Sequence, residues 1–136
     1  MKTINVKRYV GAALALFVFL FLYEWLVHGL VLTNLYHMTP QVWRSYAEMS
    51  SNMPLVVIFQ LLLSAWVTLM FTQLCRESGW EKGLIFGLYF GVLAGLVSAS
   101  WYFWLPVSGK LAWGWFASGV LEGMAGGVVL GSIYRK

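Results

Sequence analysis

Glycine recurs at every fourth residue in the last two apolar stretches of this chain. The first ladder is Gly83, Gly87, Gly91 and Gly95, and the second is Gly119, Gly123, Gly127 and Gly131. The two pair off about residue 107: 83 with 131, 87 with 127, 91 with 123 and 95 with 119. Folding the chain back at the turn Pro106-Val107-Ser108-Gly109 sets each glycine opposite another. Helices in lipid associate through van der Waals contact and interhelical hydrogen bonds, and small residues let their backbones approach. The ladders therefore predict a glycine-packed antiparallel hairpin, with a right-handed crossing near about −40°. Such faces also build oligomers. Ala94, Ser98, Ala112, Ser118 and Gly126 lie off the ladders and offer a second small-residue face.

A membrane setting follows from composition. The chain is 60% hydrophobic and only 10% charged, whereas a soluble domain carries about a quarter charged residues. Four apolar stretches, near 9–32, 53–74, 83–105 and 111–134, are long enough to cross a hydrocarbon core of about 30 Å. They are continuously apolar rather than alternating, which favours helices over a barrel. The N-terminus has the look of a signal peptide, with Lys2, Lys7 and Arg8 before an apolar run. That run is too long for a signal core and no small-x-small site follows it, so a retained first span is expected. The fold expected is all-α and integral to the membrane: four transmembrane helices in a single domain over residues 1–136.

Lys2, Lys7, Arg8, Arg76, Lys82, Arg135 and Lys136 belong to the N-terminus, second loop and C-terminus; only Arg44 and Lys110 belong to the first and third loops. This bias predicts both termini in the cytoplasm, in a membrane of the bacterial inner type. The net charge of +4 is scattered among apolar segments, so no nucleic-acid partner is expected. The expected surroundings are the lipid bilayer, with a homo-oligomer or larger membrane complex as the partner the glycine faces would serve. Cys75 is the only cysteine, which excludes an intrachain disulfide.

The first loop carries its own pattern. Thr39-Pro40 reads as an N-cap followed by proline at the first helical position. Gln41, Arg44, Ser45 and Glu48 then form a polar stripe, and Val42, Trp43, Tyr46 and Met49 an apolar one. A short interfacial helix between spans one and two is expected, with an Arg44–Glu48 pair at helical spacing.

Glu24 and Glu122 are the only carboxylates well inside spans. At 1.5 Å per residue they lie about 13 and 17 Å from the outer ends of spans one and four, so they can meet. Charged groups at such depth usually face the bundle interior and have partners. His28 shares a helix face with Glu24. Gln60, Ser64, Ser98 and Ser118 add polarity in the same outer half, while glycine and aliphatic residues fill the inner half. The pattern describes a polar pocket open outward and closed below.

Three readings of Glu24, His28 and Glu122 stay open at this level. They form a structural network of hydrogen-bonded or neutral carboxyls. Or, with Gln60, they bind or move a proton, a metal ion or a small ligand; two Glu and one His would give three metal ligands. Or His28 ligates haem, with Glu24 orienting its ring and His37 as the only other candidate axial histidine. No HExxH, CxxC or CxxCH supports the metal and haem versions. No Ser sits in a G-x-S-x-G elbow and no Lys-Ser or Lys-Thr follows the glycines, so neither a catalytic nucleophile nor a phosphate loop is expected.

Six of the eight tryptophans, Trp25, Trp43, Trp101, Trp104, Trp113 and Trp115, gather toward the outer side. They read as an interfacial belt, or as an aromatic entrance of Trp25, Trp101 and Trp104 to the pocket. Two function classes result. One is a small multi-pass protein whose pocket binds or moves a proton, metal ion or ligand. The other is a non-catalytic accessory subunit assembled through glycine faces.

Overall fold

A computed structural model of the chain describes residues 4–75, 77 and 79–134. The described residues form six α-helices and no strand: α1 Val6–Leu26, α2 Thr33–His37, α3 Tyr46–Ser51, α4 Met53–Leu74, α5 Trp80–Ser100 and α6 Gly109–Ile133. A π-helical turn, Val27–Val31, continues α1, and 3-10 turns occupy Pro40–Val42 and Trp101–Phe103. Four helices are long and apolar enough to cross a membrane: Val6–Val31, Met53–Leu74, Trp80–Phe103 and Gly109–Ile133. Their outward faces carry exposed Leu22, Leu62, Leu93 and Leu121, the surface that lipid rather than water covers. Lys2, Arg76, Arg135 and Lys136, which entered the charge bias, lie outside the described residues.

Local sequence explains the helix ends. The Asn5 side chain accepts from the Arg8 amide at 3.2 Å and caps α1. Ser108 does the same for α6, accepting from the Leu111 amide at 3.2 Å. Each cap satisfies one of the orphan donors of a first turn. Gly79, at φ 140°, makes the bend into α5, a conformation that side chains disfavour.

The first loop departs from the expected single helix. Thr39 caps nothing and its hydroxyl is buried without a partner. The chain breaks at Trp43, which is extended, and restarts with Ser45 as the cap of α3. Ser45 and Glu48 form a reciprocal capping box: Glu48 Oε2 accepts from the Ser45 amide at 2.9 Å and hydroxyl at 2.8 Å, and the Glu48 amide donates back to Ser45 Oγ. Glu48 thus takes its direct partner from Ser45 rather than from Arg44. These bonds hold its carboxyl below the usual carboxylate range.

Close helix neighbours are α1 with α4, α1 with α6, and α5 with α6. The backbones of α5 and α6 come closest. A methyl group built on Gly83 would stand 2.0 Å from the Gly127 carbonyl oxygen, and one on Gly87 2.0 Å from that of Gly123. From the other side, a methyl on Gly123 would meet Gly91 Cα at 2.4 Å, and one on Gly131 the Gly79 oxygen at 2.2 Å. No side chain fits at those distances. A second small-residue face of α6 receives α1: Leu32 reaches over Gly114, and Leu16 and Phe19 over Gly126. By contrast, α4 and α5 meet through side chains, with Phe71 edge-on to Phe86.

Two apolar clusters result, one toward the inner and one toward the outer side under the expected topology. The inner one gathers Ala12, Leu16, Leu20, Val67, Phe71, Leu130 and Tyr134. The outer one gathers Val27, Leu32, Val107 and Leu111 under Tyr36, Trp43 and Trp115. Polar residues of α1 and α6 lie between them along the chain. Buried hydroxyls on α4 stay local: Ser64 donates to the Leu61 carbonyl, Thr68 to Ser64 and Thr72 to Leu69, so they consume their hydrogen bonds on their own helix.

Candidate functional site

Beside the first cluster, whose Leu16, Leu20, Val67 and Leu130 form part of its wall, four helices line a cavity of about 170 Å³. Its polar lining is Glu24 from α1, Gln60 from α4 and Glu122 from α6. The remaining wall is apolar: Leu16 and Leu20 of α1, Leu63 and Val67 of α4, Phe86 and Phe90 of α5. The ladder glycines Gly87, Gly119, Gly123 and Gly127 floor it. Close approach of α5 to α6 uses glycine, and glycine leaves no side chain to fill the space on the flank.

Glu24 of α1 and Glu122 of α6 line the same cavity, close enough to interact electrostatically. An ionised carboxylate only accepts, so a hydrogen bond between the two would require a proton on one of them. Span depth made the meeting possible; the rotation of each helix, which the sequence does not reveal, brings it about.

From Glu24 the bonds continue toward α2 and the second cluster. Glu24 Oε2 lies 3.1 Å from His28 Nε2. His28 Nδ1 pairs with the Tyr36 hydroxyl, and the Trp115 indole donates to that same hydroxyl at 2.7 Å. Indole N–H is a donor only, while the phenol oxygen it meets can both accept and donate. With Tyr36 O–H donating to Nδ1, Nε2–H donates to Glu24. A neutral His28 with its proton on Nε2 satisfies each member; this tautomer is assigned from the network. Burial holds the Tyr36 phenol above its ordinary value, so it stays an O–H donor at neutral pH.

The local fold builds this row. His28 sits in the π-helical turn, closed by the Leu32 amide on the Val27 carbonyl at 2.8 Å. Such turns insert a residue into an α-helix and recur at functional sites. Tyr36 is clamped in the outer aromatic cluster: Trp43 Nε1 donates to its carbonyl at 3.2 Å, and the Trp43 ring stands edge-on to it. Behind the carboxyls, the Tyr23 hydroxyl donates to the Ser118 carbonyl at 3.0 Å, tying α1 to α6. The side chains of His28 and Glu24 keep 35% and 39% of their surface, so the row is not sealed within protein.

Of the residues singled out from sequence, Glu24, Gln60 and Glu122 share one cavity, and His28 joins through Glu24. Gln60 Oε1 is buried and has no hydrogen-bond partner. Trp25, Trp101 and Trp104 do not line the cavity; they are 63%, 55% and 80% exposed. The aromatic residues that touch the polar row are Tyr36, Trp43 and Trp115. From sequence, Trp115 counts only as a member of a belt. The one available signal was that buried Tyr and Trp usually find a partner for their polar atom.

Metal and haem fit these residues poorly. Among the described residues no group of three or more His, Cys, Asp and Glu is arranged to hold a metal ion. Both ring nitrogens of His28 are engaged, leaving no lone pair directed at an iron. His37 ends α2 and is exposed.

No protein-family model, curated protein or solved structure matches the chain.

Proposed function

We propose that this is a multi-pass membrane protein whose outward-facing pocket takes up and passes protons at the Glu24–Glu122 pair. The observation that carries the reading is the row of hydrogen bonds from Trp115 through Tyr36 and His28 to Glu24, with Glu122 beside it in the same cavity. With the His28 proton on Nε2, every donor in it points toward Glu24. A proton arriving at the Tyr36 oxygen would send the phenol proton to Nδ1 and the Nε2 proton to Glu24. The pair would go from one proton to two, and the row would be left facing outward, ready for the reverse transfer. The titratable groups around it are Tyr23, His28 and Tyr36; α4 contributes the neutral Gln60. In this reading the inner cluster closes the pocket below, and the glycine-packed hairpin of α5 and α6 is the rigid wall behind it. Both termini face the cytoplasm of a bacterial inner membrane.

The accessory-subunit reading draws less support. The ladder glycines face one another within the chain, which leaves them no face for a partner helix.

A proton-uptake measurement tests the proposal. Purified protein in weakly buffered detergent is stepped from alkaline to acid pH beside its Glu122→Gln and Glu24→Gln variants. The expected result is loss of proton uptake in both variants, with helicity and melting temperature retained. Equal uptake in all three contradicts the proposal. Variants that fail to fold would make the pair a structural network instead.

A further inference from the structure

We propose that the cavity accepts a small primary ammonium ion, one ring or a short alkyl chain in size, in exchange for the proton shared by Glu24 and Glu122. The proposal rests on the proton-handling reading above and names the ligand class of the same site.

Three observations converge on this class. First, the lining carries two carboxyls and one amide, and none of the lining residues is Lys, Arg or His. The field inside therefore favours a cation over an anion or a neutral guest. Second, Gln60 Oε1 is a buried acceptor with no donor. Buried polar groups are normally paired, so a guest that brings an N–H supplies what the protein lacks. A primary ammonium has three donors and no acceptor. The wall offers three accepting groups: Glu24, Glu122 and Gln60. Third, the rest of the wall is apolar, with Phe86, Phe90 and leucine side chains. Its volume of about 170 Å³ slightly exceeds the roughly 150 Å³ of an engineered apolar cavity that holds benzene. A guest with one cationic end and one small apolar end fits both halves.

The exchange balances. Before binding, one proton lies between the carboxyls and the pair carries one negative charge. With R–NH₃⁺ bound, both carboxyls are ionised and the displaced proton passes to the outer water. The site plus guest again carries one negative charge, and no bond other than that of the proton is broken.

Benzylammonium chloride is the probe. It is titrated into the full chain in mild detergent with a pH indicator, and binding is followed in parallel by calorimetry. Saturable release of about one proton per chain is expected. Benzyltrimethylammonium, which has the same ring and charge but no N–H, should not bind saturably, and benzyl alcohol should release no proton. Glu122→Gln should abolish release and weaken binding about 30-fold or more. Gln60→Leu should keep the release but weaken binding about 10-fold. If wild type takes up protons on a pH step yet shows no saturable response to benzylammonium, the ammonium proposal fails while the proton reading stands. If it does neither, both fail. Equal binding of benzylammonium and its trimethyl analogue would overturn the proposal as well, by reducing the effect to partition into an apolar, anionic surface.

Discussion

At the scale of single residues, Tyr36 is the hinge of the account. Its hydroxyl accepts from Trp115 and pairs with His28, so Tyr36→Phe removes two bonds with one oxygen. The phenylalanine keeps the ring packing and leaves a buried indole N–H unpaired, which costs about 1–3 kcal/mol. Proton uptake in this variant should be slower than in wild type while its final amplitude is unchanged, a difference that stopped-flow indicator measurements resolve. An amplitude lost together with the rate would mean that Tyr36 holds the carboxyls in place and does not relay to them. Outside the spans, Glu48 gives a pH prediction with a definite sign. Its carboxyl titrates below the usual value of 4.5, chiefly because Ser45 donates to the charged form. A carboxyl depressed in the folded state contributes stability above its unfolded pKa and loses it as pH falls through the folded one. Amide protection at Glu48 and Met49 in hydrogen exchange should therefore hold at pH 5 and above and fall away only below about 4.5. Ser45→Ala should remove that protection at all pH values.

At the scale of helices, the two kinds of glycine should behave oppositely. A methyl at Gly123 meets the backbone of α5, at 2.4 Å from both the Gly87 oxygen and Gly91 Cα, and backbone cannot turn aside. Gly123→Ala should destabilise by about 1–3 kcal/mol, the usual cost of overpacking. Gly11 has nothing within 4 Å of a built methyl, so Gly11→Ala should be neutral or stabilise by about 0.5–1 kcal/mol through helix propensity alone. Thermal unfolding in detergent compares them directly, and equal shifts would sink the close-approach account. The spans themselves were legible because a long apolar run has one solution in lipid. The helix ends were less so. Thr39-Pro40 and Ser45-x-x-Glu48 both read as starts, and the second prevails because its two side chains cap reciprocally while the Trp43 indole reaches back to the Tyr36 carbonyl. The π-helical turn at His28 leaves no mark in composition. Helix rotation is likewise silent, so the carboxyl contact was only possible until the packing of Leu16 and Phe19 on Gly126, and of Leu32 on Gly114, fixed how α1 faces α6.

At the scale of the whole molecule, polarity is graded along the membrane normal. The hydrogen-bonded Tyr36, Trp43 and Trp115 gather at one end, a cluster of Phe71, Leu130 and their neighbours packs at the other, and the cavity borders that second cluster. This gradient is what makes an outward opening the natural proposal, and it ties the site to topology. In a background with Cys75 replaced, Ser51→Cys should react with a membrane-impermeant maleimide added to intact cells, and Glu77→Cys only after lysis. The reverse pattern would turn the pocket to the cytoplasm and reassign the proton source. The central claim concerns one proton, and infrared difference spectroscopy reads it most directly. The account predicts a protonated-carboxyl stretch at neutral pH in the purified wild-type chain, absent in Glu122→Gln and shifted in His28→Ala. A wild-type spectrum with no such band at neutral pH, or one that Glu122→Gln leaves intact, would contradict it.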